Sequence, residues 1–218
     1  MLEVVEFLKY LILLYGGLFA ITNPPVGAVP PVFLSVTHDL SWRERREIAS
    51  KTAISVVATL VVFALLGQWI FKFFGSSTDA FAIAGGILLF RMALDMLSGK
   101  LSSVKISNEE TEEFSEEVVT LEEVAIIPLA IPLISGPGAI TTVMLYMAKS
   151  TTNLQRLAVI LTIILIGITV WFVLCSANRI KARLGRVGIK VMTRMMGLIL
   201  TSMAVQMIIN GIKGAFGL

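Results

Sequence analysis

Apolar residues fall along this chain in long unbroken stretches rather than in stripes at helical or strand spacing. Six stretches, at about 10–37, 48–71, 79–97, 124–148, 157–178 and 195–212, are separated by short segments that hold most of the charges. A helix of about 20 apolar residues spans the roughly 30 Å hydrocarbon layer of a bilayer. Only helices and closed barrels satisfy every backbone group at that depth. The pattern therefore predicts an all-α membrane protein of six transmembrane helices.

Two stretches cannot be continuous helices. The first, uncharged from Tyr10 to Thr37, contains Asn23-Pro24-Pro25-Val26-Gly27-Ala28-Val29-Pro30-Pro31. Each proline removes a backbone donor, clashes with the preceding turn and pushes its predecessor out of the helical region. The fourth, uncharged from Val124 to Ala148, contains Pro132-Leu133-Ile134-Ser135-Gly136-Pro137-Gly138-Ala139. Spans 1 and 4 are expected to be broken mid-membrane.

The breaks share a register. Gly27-Ala28 and Gly138-Ala139 are 111 residues apart, and the same offset carries Gly86, Met92, Ala93 and Met96 onto Gly197, Met203, Ala204 and Met207. A constant offset points to a duplicated unit. Residues 1–97 form one three-helix repeat, 98–121 an acidic polar linker, and 122–218 the second repeat. Three spans per unit make the halves enter the membrane in opposite directions, so the repeats are inverted. Paired helix breaks in such halves point to a transporter's binding site.

Charge sets the expected orientation. The segments joining spans 1–2, 3–4 and 5–6 hold about twelve lysines and arginines, counting Lys51 at the start of span 2, and the opposite side, with both termini, holds five. By the positive-inside rule the basic loops, Arg179–Arg194 among them, are cytoplasmic and both termini lie outside. Ser41 and Glu44 are spaced as a capping box ahead of span 2. Along that span Ala49, Thr52, Ala53, Ser55, Ala58 and Thr59 offer small residues for close packing. Eight of fifteen acids lie between Glu109 and Glu123, the mark of a solvated segment. The net charge of +3 is spread over short loops and is no nucleic-acid signal. One cysteine, Cys175, excludes an internal disulfide, and the N-terminus, with Glu3, Glu6 and Lys9, does not read as a signal peptide. No metal or organic cofactor is called for, and nothing specifies an oligomeric state.

In the inverted arrangement, the second halves of spans 1 and 4 both open near the midplane. Each helix N-terminus offers unpaired amides and roughly half a positive charge, which favours a carboxylate. The first halves end there with unpaired carbonyls suited to an ammonium group or a cation. Pro24, Val26, Gly27, Ala28, Gly136, Gly138 and Ala139 give a small, uncharged lining that matches a zwitterion with a small neutral side chain. Asn23, Ser135 and Thr141 either contact substrate or satisfy backbone freed by the prolines. Arg91 and Asp95, one turn apart, either snorkel at the end of span 3 or serve coupling or gating. Gln206 stands at the position equivalent to Asp95, and His38 reads as interfacial.

The chain resembles the MarC family, also called the SnatA family of small neutral amino acid transporters. The residues that carry the likeness are Asn23-Pro24 with Gly27, Pro30 and Phe33-Leu34, Ala84-Gly85-Gly86-Ile87-Leu88-Leu89-Phe90, the run Pro132 to Thr142, and Met196-Gly197-Leu198-Ile199-Leu200 with Ala204-Val205-Gln206. The resemblance implies an inner (cytoplasmic) membrane protein whose broken spans form the substrate site. It also implies transport of glycine, alanine and similar amino acids, driven by a proton or sodium gradient. The other readings are an uncoupled channel or facilitator, an exporter of small metabolites, and an accessory membrane subunit. An intramembrane enzyme is disfavoured, because His38 is the only histidine and no paired acid or Ser/His constellation occurs.

Overall fold

The computed structural model describes residues 2–22, 29–37, 40–98, 130 and 134–217. Among them the structure is helical, with no strand: α1 (Leu2–Thr22), α2 (Val29–Val36), α3 (Trp42–Phe73), α4 (Thr78–Leu97), α5 (Pro137–Lys149), α6 (Asn153–Cys175) and α7 (Ala177–Phe216). Five of these, α1, α3, α4, α6 and α7, are long and apolar enough to cross a membrane. Asn23, Pro24, Val26, Gly27, Ala28, His38 and the linker beyond Ser98 lie outside the described residues, and so does the first of the two expected breaks.

Local chemistry explains where the helices begin. The Ser41 hydroxyl accepts from the Glu44 amide at 3.4 Å, and the Ser41 amide donates to the Glu44 carboxylate at 2.7 Å. That is the capping box read from the spacing, and the Ser41 hydroxyl, then its amide, hold the Glu44 carboxyl below its ordinary pKa. A second box at Thr152 and Gln155 opens α6.

One boundary corrects the sequence reading. The basic segment from Arg179 to Arg194 is helix within α7 rather than a loop, while the polar segment from Arg43 to Lys51 forms the first turns of α3, as the capping box at Ser41 implies. Arginine, lysine and glutamate are good helix formers, so their charge moves a helix out of the hydrocarbon without ending it. In α3 the Lys51 ammonium lies 2.9 Å from the Glu47 carboxylate one turn back, a pair that suits a helix. Gly185, at φ 60 and ψ −178, bends the start of α7. Glycine reaches that conformation without strain.

α4 and α7 pack antiparallel, with backbones in close approach. A Cβ at Gly86 would lie 2.9 Å from the Ala204 carbonyl, one at Gly197 would lie 3.1 Å from the Ala93 carbonyl, and one at Gly211 would lie 2.8 Å from that of Asp79. The first two contacts are reciprocal under the 111-residue offset. Gly86 meets the counterpart of Ala93, and the counterpart of Gly86 meets Ala93. α3 packs on α6, where Gly167 seats the Val57 side chain and Trp171 Nε1 donates to Ser50 Oγ at 3.0 Å. Of the expected small-residue face, Ala49, Thr52 and Ala53 are buried but Ala58 is exposed. The core is Leu18, Phe33, Ile48, Leu60, Leu89, Ile163, Ile166 and their neighbours. Outside it, Leu13 at 72%, Phe73 at 84% and Leu198 at 65% exposure are what a lipid-facing surface carries and a soluble one avoids.

Candidate functional site

α5 opens inside the molecule. At about 1.5 Å per residue its 13 residues reach only about 20 Å, too short to cross the roughly 30 Å hydrocarbon layer by themselves. Pro137 stands in the first turn, where its fixed φ suits a helix and its missing N–H costs nothing. Gly136 caps the helix with extended backbone (ψ 173) and no side-chain hydrogen bond. Just before it, the Ser135 amide donates to the Ala130 carbonyl at 2.9 Å, a wide five-residue turn. The first-turn amides of Gly138 and Ala139 have no acceptor within the helix.

Apart from the exposed Pro137, this N-terminus is buried. Ser135, Gly136, Gly138, Ala139 and Thr141 are all buried. Ser135 is 1% exposed, and its hydroxyl has no hydrogen-bond partner among the described residues. Thr52 and Thr162 share that condition. Those two lie within helices, where a rotated hydroxyl can reach the carbonyl a turn back. Ser135 sits instead at the mouth of a helix.

A cavity of about 250 Å³ adjoins this point, walled by Ile21 of α1, Ala82 and Leu89 of α4, and faces of α5 and α7. The α5 wall is Thr142, Leu145, Tyr146 and Lys149, and the α7 wall is Met203, Gln206, Met207 and Asn210. It follows α5 from near its start to its charged end. Gly138 touches Leu89 Cδ2 and approaches Ile21 Cγ2, with 3.5 Å left for a Cβ there. The helix opening thus lies directly behind two wall residues. Thr142 Oγ1 donates to the Gly138 carbonyl at 2.8 Å, and Gln206 Nε2 donates to Asn210 Oδ1 at 2.9 Å. The glycine pair in α4 serves this packing: Gly85 receives the Thr141 methyl, and Gly86 receives Ile208.

The predicted residues Ser135, Gly136, Gly138, Ala139 and Thr141 are therefore brought together, but behind the cavity wall rather than in it. The wall residues Thr142, Tyr146 and Lys149 escaped the sequence reading. Their spacing of four and three residues down from the break was the available signal. Arg91 is exposed and Asp95 half-buried on α4, and neither lines the cavity.

Comparison with known proteins adds the lineage. Residues 8–216 match the family described as MarC family integral membrane protein. A UPF0056 membrane protein of Pyrococcus horikoshii is 67% identical over 213 residues, covering 98% of this chain and 99% of the relative. UPF0056 membrane proteins of Bacillus subtilis and Escherichia coli are 38% identical over 209 residues and 36% over 200. They cover 95% and 92% of this chain, and 96% and 90% of their own lengths. No solved structure matches the chain.

Proposed function

The chain belongs to the MarC family of integral membrane proteins, and from that premise we propose that it transports small neutral amino acids such as glycine and alanine across the cell membrane. The observation that carries this reading is the buried opening of α5, where first-turn amides without an acceptor in the helix, and a Ser135 hydroxyl without a partner among the described residues, adjoin a cavity. Amides at a helix N-terminus suit the carboxylate of a zwitterion, in a setting where water does not compete. At about 250 Å³ the cavity falls below the usual range for drug-sized ligands, about 300–1,000 Å³, which favours a small solute. The reading also assigns Asn23, Pro24, Val26, Gly27 and Ala28, outside the described residues, to substrate binding.

The architecture belonging to this reading has six spans in two inverted repeats. Span 1 is α1 with α2, and span 4 is the segment before Ser135 with α5. Support comes from the antiparallel, reciprocal contact of Gly86 and Gly197, the arrangement expected of equivalent helices in oppositely inserted halves. The basic end faces the cytoplasm and both termini lie outside. A proton or sodium gradient drives accumulation, with Arg91 and Asp95 as the coupling pair.

The test is counterflow of radiolabelled amino acids in proteoliposomes. Glycine- and alanine-loaded vesicles should take up label, leucine- and glutamate-loaded ones should not, and an imposed proton or sodium gradient should drive accumulation. Uptake indifferent to every gradient would replace the transporter with an uncoupled facilitator. No exchange of any amino acid would end the reading.

A further inference from the structure

A second cavity, of about 300 Å³, lies at the opposite, basic end, between α2, the start of α3, the end of α6 and the start of α7. Its polar wall is Arg45, Arg46 and Asn178, and its apolar wall includes Phe33, Leu34 and Leu174. The Arg46 guanidinium carbon sits 5.4 Å from the ring centroids of both Trp42 and Trp171. Two cation–π contacts from different helices hold it in place. Trp171 is itself fixed by its bond to Ser50 Oγ, which donates in turn to the Arg46 carbonyl at 3.0 Å. Among the described residues no carboxylate pairs with Arg46. Arg45 Nε donates to the Leu40 carbonyl at 3.1 Å, which orients its guanidinium at the rim.

We infer that this cavity binds the phosphate of an anionic phospholipid, with Arg46 as its principal ligand. A guanidinium held by cation–π contacts to two indoles still offers its N–H fork to two phosphate oxygens, which lysine cannot supply. Indoles favour the level of the headgroups, where one side of the ring is apolar and the other wet. Basic pockets between transmembrane helices on the side rich in lysine and arginine are where anionic headgroups are held. The apolar wall distinguishes the source. Phe33, Leu34 and Leu174 offer a glycerol backbone and the start of an acyl chain a surface that a bare phosphate ion would leave unused. The site shares no residue with the α5 cavity and stands apart from the transport reading.

Cys175, the only cysteine of the chain, lines this cavity and is exposed, so occupancy can be read without a mutation. Alkylation of Cys175 by a maleimide would be timed on the full chain in detergent. The additions are dihexanoylphosphatidylglycerol, dihexanoylphosphatidylcholine and inorganic phosphate at equal concentrations. The glycerol lipid should slow alkylation about tenfold once it is at about ten times its dissociation constant, with the choline lipid and phosphate leaving the rate unchanged. Arg46→Gln should abolish the protection and Arg46→Lys should weaken it, while Arg156→Gln, on another helix end, should keep it in full. Full protection in both Arg46 variants would overturn the site, and equal protection by the choline lipid, which carries the same phosphate and acyl chains, would overturn an anionic lipid as its occupant. Equal protection by inorganic phosphate would overturn the lipid as its occupant.

Discussion

Ser135 and Gly138 separate a binding role from a structural one. A buried hydroxyl without a partner costs stability, on the order of 1–3 kcal/mol. Ser135→Ala removes that cost and should leave the melting temperature unchanged or raised. If the hydroxyl meets substrate, the same change should weaken glycine and alanine binding about five- to tenfold, the worth of roughly 1 kcal/mol. Calorimetry and thermal unfolding of purified protein measure both. A lowered melting temperature with unchanged binding would make Ser135 a support for backbone freed by the neighbouring prolines. Gly138 is set by space: any Cβ there meets Leu89. Gly138→Val should displace Leu89 and Ile21 into the cavity and abolish binding, whereas the helices packed around it hold the fold. Ethylamine, alanine without its carboxylate, should bind far more weakly than alanine, because the amides at the α5 opening would stay buried and unpaired. Equal binding of the two would remove the helix opening from the site.

At the scale of the helix, the α4–α7 contact makes a numerical demand. A Cβ at Gly86 would fall 2.6 Å from Ile208 Cγ1 and 2.9 Å from a backbone oxygen. Gly86→Ala should therefore destabilise by about 1–3 kcal/mol, the usual cost of overpacking. Gly197→Ala should cost somewhat less, its nearest neighbour being Met96 Cβ at 3.0 Å. Gly16→Ala, with open space around it, should be neutral or stabilising. Unfolding in mixed micelles would rank the three, and an equal response would refute the close contact. Asp95→Asn tests the other feature of α4. Loss of gradient-driven accumulation with exchange retained would assign Asp95 to coupling, whereas loss of both would make it structural. Much of this was legible beforehand. The capping box at Ser41, the opening of a helix at Ser135-Gly136-Pro137 and the matched glycines all follow from local rules of backbone and space. The helical state of Arg179–Arg194 was not, because positive-inside counting marks which residues leave the membrane and says nothing of whether the helix stops there. Nor was the cavity wall on α5 and α7. Thr142, Tyr146, Gln206 and Asn210 face one another only once the two helices are docked, a tertiary fact with a faint trace in spacing.

For the whole molecule, the decisive quantity is the distribution of charge between its two ends. The starts of α3 and α7 and the ends of α4 and α6 share one end, shown by the cavity at Arg46 and by the contact of Gly197 with Ala93 and Met96. That end carries Arg43, Arg45, Arg46, Arg179, Lys181 and Arg183, while the other carries Lys72, Lys149, Arg156 and Lys213. Positive residues near span ends resist translocation, so the first end should be cytoplasmic. Residues after α4 would then lie inside and the end of α7 outside. Single cysteines at Ser107, beyond the described residues, and at Gly217, in a Cys175→Ser background, report this directly. In intact cells a membrane-impermeant maleimide should label position 217 and spare 107, with 107 becoming reactive once the membrane is opened. The reverse pattern would invert the molecule and make the Arg46 cavity an outer-leaflet site. Labelling of both from outside would contradict an odd number of crossings between them, and with it the pairing of the two halves as oppositely inserted repeats.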